Sequence, residues 1–170
     1  MDAENTHQVF EWLWSSGQLS ERDISSLPAY GIEVVINLAL PTSSNALPGE
    51  ADLVTENGLA YVQIPVEWED PKVEQFAQFV GVLNAFAGCK LWVHCAKNMR
   101  VSAFIYLYRK LVLGEGEEQA SFPMREVWSP NDIWQAFIGQ ACAAHSDIPL
   151  PVRRPRRAAA RVNAIDRKET

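Results

Sequence analysis

The chain alternates short apolar runs with longer stretches in which apolar residues recur every three or four positions. Ile32-Glu-Val-Val-Ile-Asn-Leu38 is nearly continuous in apolar and β-branched residues, the pattern of a strand covered on both faces. Residues 59–64, Leu-Ala-Tyr-Val-Gln-Ile, and 89–93, Cys-Lys-Leu-Trp-Val, predict two more strands. Between them, Ser20 is placed to cap a helix running to about Leu27, which Pro28 and the Tyr30-Gly31 turn end. Pro48 to Asn57 predicts a second helix, stopped by Gly58. From Pro71 to Ala87, Val73, Phe76, Ala77, Val80, Leu83 and Phe86 keep helical spacing, with Glu74, Gln75, Gln78 and Asn84 opposite, so this helix lays one face on a sheet. Past residue 100, Phe104, Leu107 and Leu111 form one stripe and Ile105, Tyr108 and Val112 another, which predicts a central, buried helix. Ser129-Pro130 predicts the cap and first position of a last helix, through Trp134, Phe137 and Ala141, on an outer face. Together these elements predict a three-layer α/β domain, with a mainly parallel central sheet of about four to five strands and helices on both faces.

Composition sharpens the boundaries. A chain of 170 residues, 48% hydrophobic and 21% charged, suits one folded domain, taken as residues 1–148. Residues 149–170 hold seven basic against two acidic residues and few large apolar ones, which predicts a flexible basic tail that contacts a polyanion or lies solvated on the acidic body. The body then carries eight basic against nineteen acidic residues, net −11, and should repel nucleic acid. No apolar run reaches the ~20 residues that a membrane-spanning helix needs. The polar start Met1-Asp2-Ala3-Glu4-Asn5 lacks the basic and apolar regions of a signal peptide, so a cytoplasmic location without stable membrane insertion is expected. Three cysteines, Cys89, Cys95 and Cys142, are too few and too irregularly spaced for a disulfide scaffold or zinc knuckles, which fits a reduced compartment.

The chemistry concentrates in His94-Cys-Ala-Lys-Asn-Met-Arg100, which joins a predicted strand to the predicted buried helix. A tight loop entering a helix N-terminus turns several backbone N–H groups toward one point, and the helix dipole adds partial positive charge there. Such a site cradles a tetrahedral oxyanion through Ala96, Lys97, Asn98, Met99 and Arg100. A cysteine at its rim ionises readily, because helix N-termini and neighbouring cations favour thiolate over thiol. Cys95 is therefore the expected nucleophile. Arg100 offers paired N–H donors to oxygens of the bound anion, a geometry that lysine lacks. Attack on phosphorus held this way gives a cysteinyl-phosphate, later hydrolysed by water, with no metal or other cofactor required.

At these residues the chain resembles the cysteine-dependent tyrosine and dual-specificity phosphatase superfamily, whose loop reads His-Cys, several residues, Arg, then Ser or Thr. It looks most like the small bacterial dual-specificity-like group. Ser16-Gly-Gln-Leu19, residues 31–38 and residues 61–66 extend the resemblance, which spans about Leu13 to Ala143. It implies a phosphatase acting on phosphorylated protein or on small phosphate esters, with Ser102 assisting thiolate departure and His94 supporting Cys95. One spacing departs from the family pattern: four residues, not five, separate Cys95 from Arg100. Either the loop has lost a residue, and is then similar to that of rhodanese-type sulfurtransferases, which carry a persulfide on the cysteine, or its length is kept and the arginine has moved one place, with Ser102 seven after Cys95 where the family carries its hydroxyl. A phosphate-binding module without turnover is a third alternative.

The resemblance also implies a general acid, an aspartate after the preceding strand. Residues 64–71 offer Glu67, Glu69 and Asp70; Asp70 is assigned the role as the only aspartate there, just before Pro71, although it is equally suited to cap the helix. Trp68 stands close to where relatives carry the acid. Arg125 is expected at the surface, Cys142 in apolar packing, and the six tryptophans mainly in the core. Neither the substrate nor an oligomeric state is legible.

Overall fold

The structure is a computed structural model that describes residues 1–145, 148 and 149. All but the first residue of the basic tail, 149–170, therefore lies outside the described residues. Five strands form one sheet, β1 (His7–Phe10), β2 (Leu13–Ser16), β3 (Val34–Asn37), β4 (Ala60–Gln63) and β5 (Leu91–His94), in the order β1-β2-β5-β3-β4. β2, β5, β3 and β4 run parallel, while β1 pairs with β2 antiparallel at one edge. The predicted α/β class and mainly parallel sheet are thus realised.

Alternation along the central strands assigns the two faces. Val34, Ile36, Leu91 and Val93 enter one apolar cluster with Phe76, Phe79, Phe104 and Phe137. Val35 and Trp92 point the other way, to Leu19, Ile24, Leu27, Val54 and Leu59. The first cluster is covered by α3 (Val73–Ala85), α4 (Met99–Leu107) and α7 (Asp132–Ala143). The second is covered by α1 (Glu21–Ser26) and α2 (Glu50–Glu56). Ser20 caps α1 as expected: its hydroxyl accepts from the Asp23 N–H at 3.1 Å, and the Asp23 carboxylate answers from the Ser20 N–H. Gly58, at φ 77°, ends the α2 region in the left-handed conformation that glycine adopts without penalty.

Eight of the nine residues of α4 are buried, from Arg100 to Leu107, so it is the central helix that its two stripes predicted. It continues as a π-helical turn over Tyr108–Val112. Two short helices, α5 (Glu117–Ala120) and α6 (Met124–Val127), fill a span with no strong periodicity.

Three boundaries differ from the sequence pattern. The last helix begins later than Ser129-Pro130, because Asn131 is the cap and accepts from the Trp134 N–H at 3.1 Å. Lys72, not Asp70, occupies the cap position of α3, with Gln75 Oε1 accepting from the Lys72 N–H. β2 did not register as a strand by hydropathy, because half of Leu13-Trp-Ser-Ser16 is serine; both serines are fully buried and spend their hydroxyls on side chains from β5 and the following loop.

Candidate active site

The parallel sheet delivers Cys95 at the C-terminal end of its middle strand, where open α/β sheets bind ligands. The His94 carbonyl accepts from Leu38 and the Cys95 N–H donates to Ser16 O, so β3 and β2 hold the start of the loop from both sides. Past Cys95 the chain turns through Ala96, Lys97 and Asn98 into α4. Asn98 is the cap and adopts φ 64°, ψ 3°, a left-handed conformation open to asparagine at low cost.

The loop carbonyls are pulled outward. Ala96 O accepts from the Gln18 N–H at 3.2 Å and from Asn45 Nδ2 at 2.9 Å, and Lys97 O accepts from Asn5 Nδ2 at 3.1 Å. A trans peptide sets its C=O and the next N–H on opposite sides, so these bonds fix the rotation of the Lys97 and Asn98 amides, and Lys97 pairs with Gly17 in an isolated antiparallel bridge. The first amides of α4, from Met99 and Arg100, have no partner within the helix and face the same end. Such a strand-to-helix turn, with the unpaired first amides and the dipole of a buried helix behind it, is suited to hold an anion.

Arg100 is 8% exposed and its Nε has no hydrogen-bond partner. Its guanidinium lies over the Trp68 ring at 5.5 Å from the centroid. No carboxylate of the described residues forms an ion pair with it, which leaves its donors for an external anion. Trp68 in turn packs on Trp128 and Trp134, and its carbonyl accepts from Trp134 Nε1 at 3.0 Å, so the loop after β4 is anchored above the arginine. An open cavity of about 310 Å³ lies here, lined by Ala96, Lys97, Met99 and Arg100 of the loop, by Trp68, and by Ser43, Ser44 and Asn45. Cys95 is 1% exposed, and neither it nor Cys89 nor Cys142 is in a disulfide.

His94, the last residue of β5, lies directly before Cys95. It is fully buried, with Nε2 2.7 Å from Glu50 Oε1, a close contact off the hydrogen-bond axis. Glu50 Oε2 accepts from Asn37 Nδ2 at 3.0 Å, and the same Nδ2 lies 3.1 Å from the Tyr61 hydroxyl. Burial, and next the Glu50 charge, push the Tyr61 hydroxyl up to about 12, so it remains a neutral phenol at any physiological pH. Glu50 escaped sequence analysis because a glutamate in the first turn of a helix is an ordinary complement to the helix dipole. Its partner lies 44 residues away and is brought near only by the fold.

The remaining sequence candidates divide. Lys97 is exposed at the rim, whereas the Asn98 side chain is buried and bonded to Asn5 O and Ser15 Oγ. The Ser102 hydroxyl donates to Met99 O and accepts from Trp128 Nε1, so the bonds it makes here go to groups other than Cys95. Asp70 is exposed and paired with Lys72 at 2.6 Å; Glu67 and Glu69 are exposed as well. Arg125 is an exposed residue bonded to Glu118 O and Ser121.

Comparison with known proteins gives this loop its class, the cysteine-dependent tyrosine and dual-specificity phosphatase superfamily. Residues 2–133 match the model of the family described as DSP-PTPase phosphatase fused to NAD+ kinase, and the chain belongs to that family. A DUF442 protein of Shewanella putrefaciens CN-32, whose crystal structure is described as that of a phosphatase, is 36% identical with a TM-score of 0.76, over 85% of this chain and 95% of that one. Two more distant structures share the fold. The core catalytic domain of the PP-IP phosphatase SIW14 from S. cerevisiae is 14% identical with a TM-score of 0.62, over 89% of this chain and 99% of its own. P. aeruginosa TpbA, solved with pTyr, is 14% identical with a TM-score of 0.64, over 82% and 89% of the two chains. No match is found among curated proteins. No helix of the described residues is long and apolar enough to cross a membrane.

Proposed function

We propose that this phosphatase hydrolyses phosphomonoesters in two steps through a cysteinyl-phosphate on Cys95. The observation that carries the reading is the juxtaposition of Cys95, at the end of the central strand, with the unpaired first amides of α4 and a nearly buried Arg100 that forms no ion pair among the described residues. Two anionic oxygens of the substrate accept from the Arg100 guanidinium, and the others accept from the amides of residues 97–100. The Cys95 thiolate attacks phosphorus, a P–S bond forms, and the P–O bond to the leaving group breaks. Asp70 delivers its proton to the departing oxygen. Water then attacks the phosphocysteine, Asp70 takes the water proton, and inorganic phosphate leaves as the thiolate is regenerated.

Asp70 reaches the site by leaving its exposed contact with Lys72, a movement within the scope of a surface loop between β4 and α3. His94 and Ser102 act in support, His94 through its buried contact with Glu50 and Ser102 at the first turns of α4. The dual-specificity-like subtype is favoured by the open, shallow mouth of the cavity and its mixed rim of Ser43, Ser44, Asn45 and Lys97. Phosphorylated protein side chains and small phosphate esters both fit that description. The family match favours phosphoryl over sulfur transfer with the same cysteine.

Release of phosphate from p-nitrophenyl phosphate tests the reading. Wild-type protein should turn over and Cys95→Ser should not; a Cys95→Ser variant with wild-type activity would overturn the assignment. Sulfur transfer from thiosulfate to cyanide, without phosphate release, would replace it by the persulfide alternative.

A further inference from the structure

The segment ahead of β2 grips the short loop from outside. Asn5 Nδ2 donates to Lys97 O at 3.1 Å, and Asn5 O accepts from Asn98 Nδ2 at 2.6 Å, so Asn5 is tied to two successive loop residues more than ninety positions away. The same Asn98 Nδ2 reaches Ser15 Oγ on β2 at 3.1 Å. Gly17 N donates to Glu4 O at 2.8 Å, fastening the segment one residue away. The approach is close: a Cβ on Gly17 would stand 2.8 Å from Glu4 Cγ and 3.1 Å from Ala96 O.

We infer that Asn5 and Asn98 are positioning residues that hold the four-residue Cys-to-Arg loop in its anion-binding conformation. This rests on the loop being the phosphate site. A loop one residue shorter than usual must still turn its amides to one point. Here the rotation of the Lys97–Asn98 peptide is set by a side chain from elsewhere, because Asn5 pulls the Lys97 carbonyl outward. The Asn98 amide, held by one backbone and one hydroxyl acceptor, fixes the left-handed turn from which the α4 amides point at the ligand. Asn98 therefore works through its side chain as a brace. Neither residue needs to touch the reacting atoms with its side chain.

The experiment uses the full chain, with tungstate as probe for affinity and p-nitrophenyl phosphate for turnover. Asn98→Gly keeps the left-handed backbone accessible and deletes only the brace. Losing the net contribution of its hydrogen bonds should weaken tungstate binding and raise KM by roughly tenfold, with kcat changed less than KM. Asn5→Gly, at an exposed position whose φ of 52° glycine adopts without strain, should weaken tungstate roughly two- to threefold through the lost Lys97 bond, and it decides the matter if Asn98→Gly does not fold. A merely structural role would lower the melting temperature and leave the affinity of the folded protein unchanged. Variants that fold and bind tungstate as tightly as wild type would overturn the inference while the phosphate reading stands. Wild-type protein that binds no tungstate would overturn both.

Discussion

Glu50→Ala tests the buried support of the nucleophile. Glu50 is 6% exposed and His94 is fully buried, so the pair is screened little by water. The substitution removes the carboxylate 2.7 Å from His94 Nε2 and the acceptor of Asn37 Nδ2, and it leaves the Tyr61 hydroxyl without a charged neighbour. Leaving a buried donor such as Asn37 Nδ2 without its acceptor typically costs about 1–3 kcal/mol, because the group stays desolvated without compensation. That is a sizeable share of the roughly 5–15 kcal/mol that stabilises a domain of this size. With a urea slope of about 2 kcal/mol/M, the midpoint should fall by about 0.5–1.5 M. Glu50→Gln retains an acceptor for Asn37 and should lose clearly less. Equilibrium urea unfolding, followed by tryptophan fluorescence and by circular dichroism together, measures both. A Glu50→Ala midpoint within about 0.3 M of wild type at unchanged slope would refute the claim that this network is structurally coupled.

Three further outcomes follow from the geometry. Arg100→Lys keeps the charge but loses the planar fork, and the lost charge-assisted bond should lower kcat/KM for p-nitrophenyl phosphate by roughly 10–150-fold; a change under threefold would remove Arg100 from the clamp. Asp70→Asn should reduce kcat on phenyl phosphate by more than about tenfold and on p-nitrophenyl phosphate by less, since the better leaving group needs less protonation; equal, small effects on both would transfer the acid role to Glu67 or Glu69. For Asp23, burial pushes the carboxyl up, but hydrogen bonds from the Asp2 and Ser20 N–H groups and the Ser20 hydroxyl outweigh it and hold the group below its ordinary 3.8. A depressed carboxyl contributes stability that is present above 3.8 and lost as pH falls through its folded value. Asp23→Asn should therefore be less stable than wild type at pH 7 and converge with it in acid, as read by thermal melts across pH; a gap that persists at pH 2 would contradict this.

The parts of the fold that were legible in the sequence are those in which one element's own periodicity settles its environment. β3, β5 and α4 are apolar on all sides because they are central, and α3 shows one apolar stripe because it covers one face. β2 was opaque to hydropathy because Ser15 and Ser16 are buried through hydrogen bonds, a fact that lies in Asn98 and Trp92, not in β2 itself. The loop stood out in the sequence as a candidate catalytic element because its chemistry is local, a cysteine and an arginine at a strand-to-helix junction. Its supports did not: Asn5, Asn45 and Glu50 are ordinary polar residues until the fold carries them to Lys97, Ala96 and His94. Trp68 illustrates the mixed case. Its place in the loop after β4 was visible, but its stacking on Arg100 depends on Trp128 and Trp134 behind it.

The most direct test of the central claim is to catch the intermediate. Rapid acid quench of wild-type protein during turnover of p-nitrophenyl phosphate, followed by peptide mass spectrometry, should find one phosphoryl group on the peptide that contains Cys95, absent from Cys95→Ser. Turnover that proceeds while phosphate never appears on Cys95, or appears on another residue, would contradict the account.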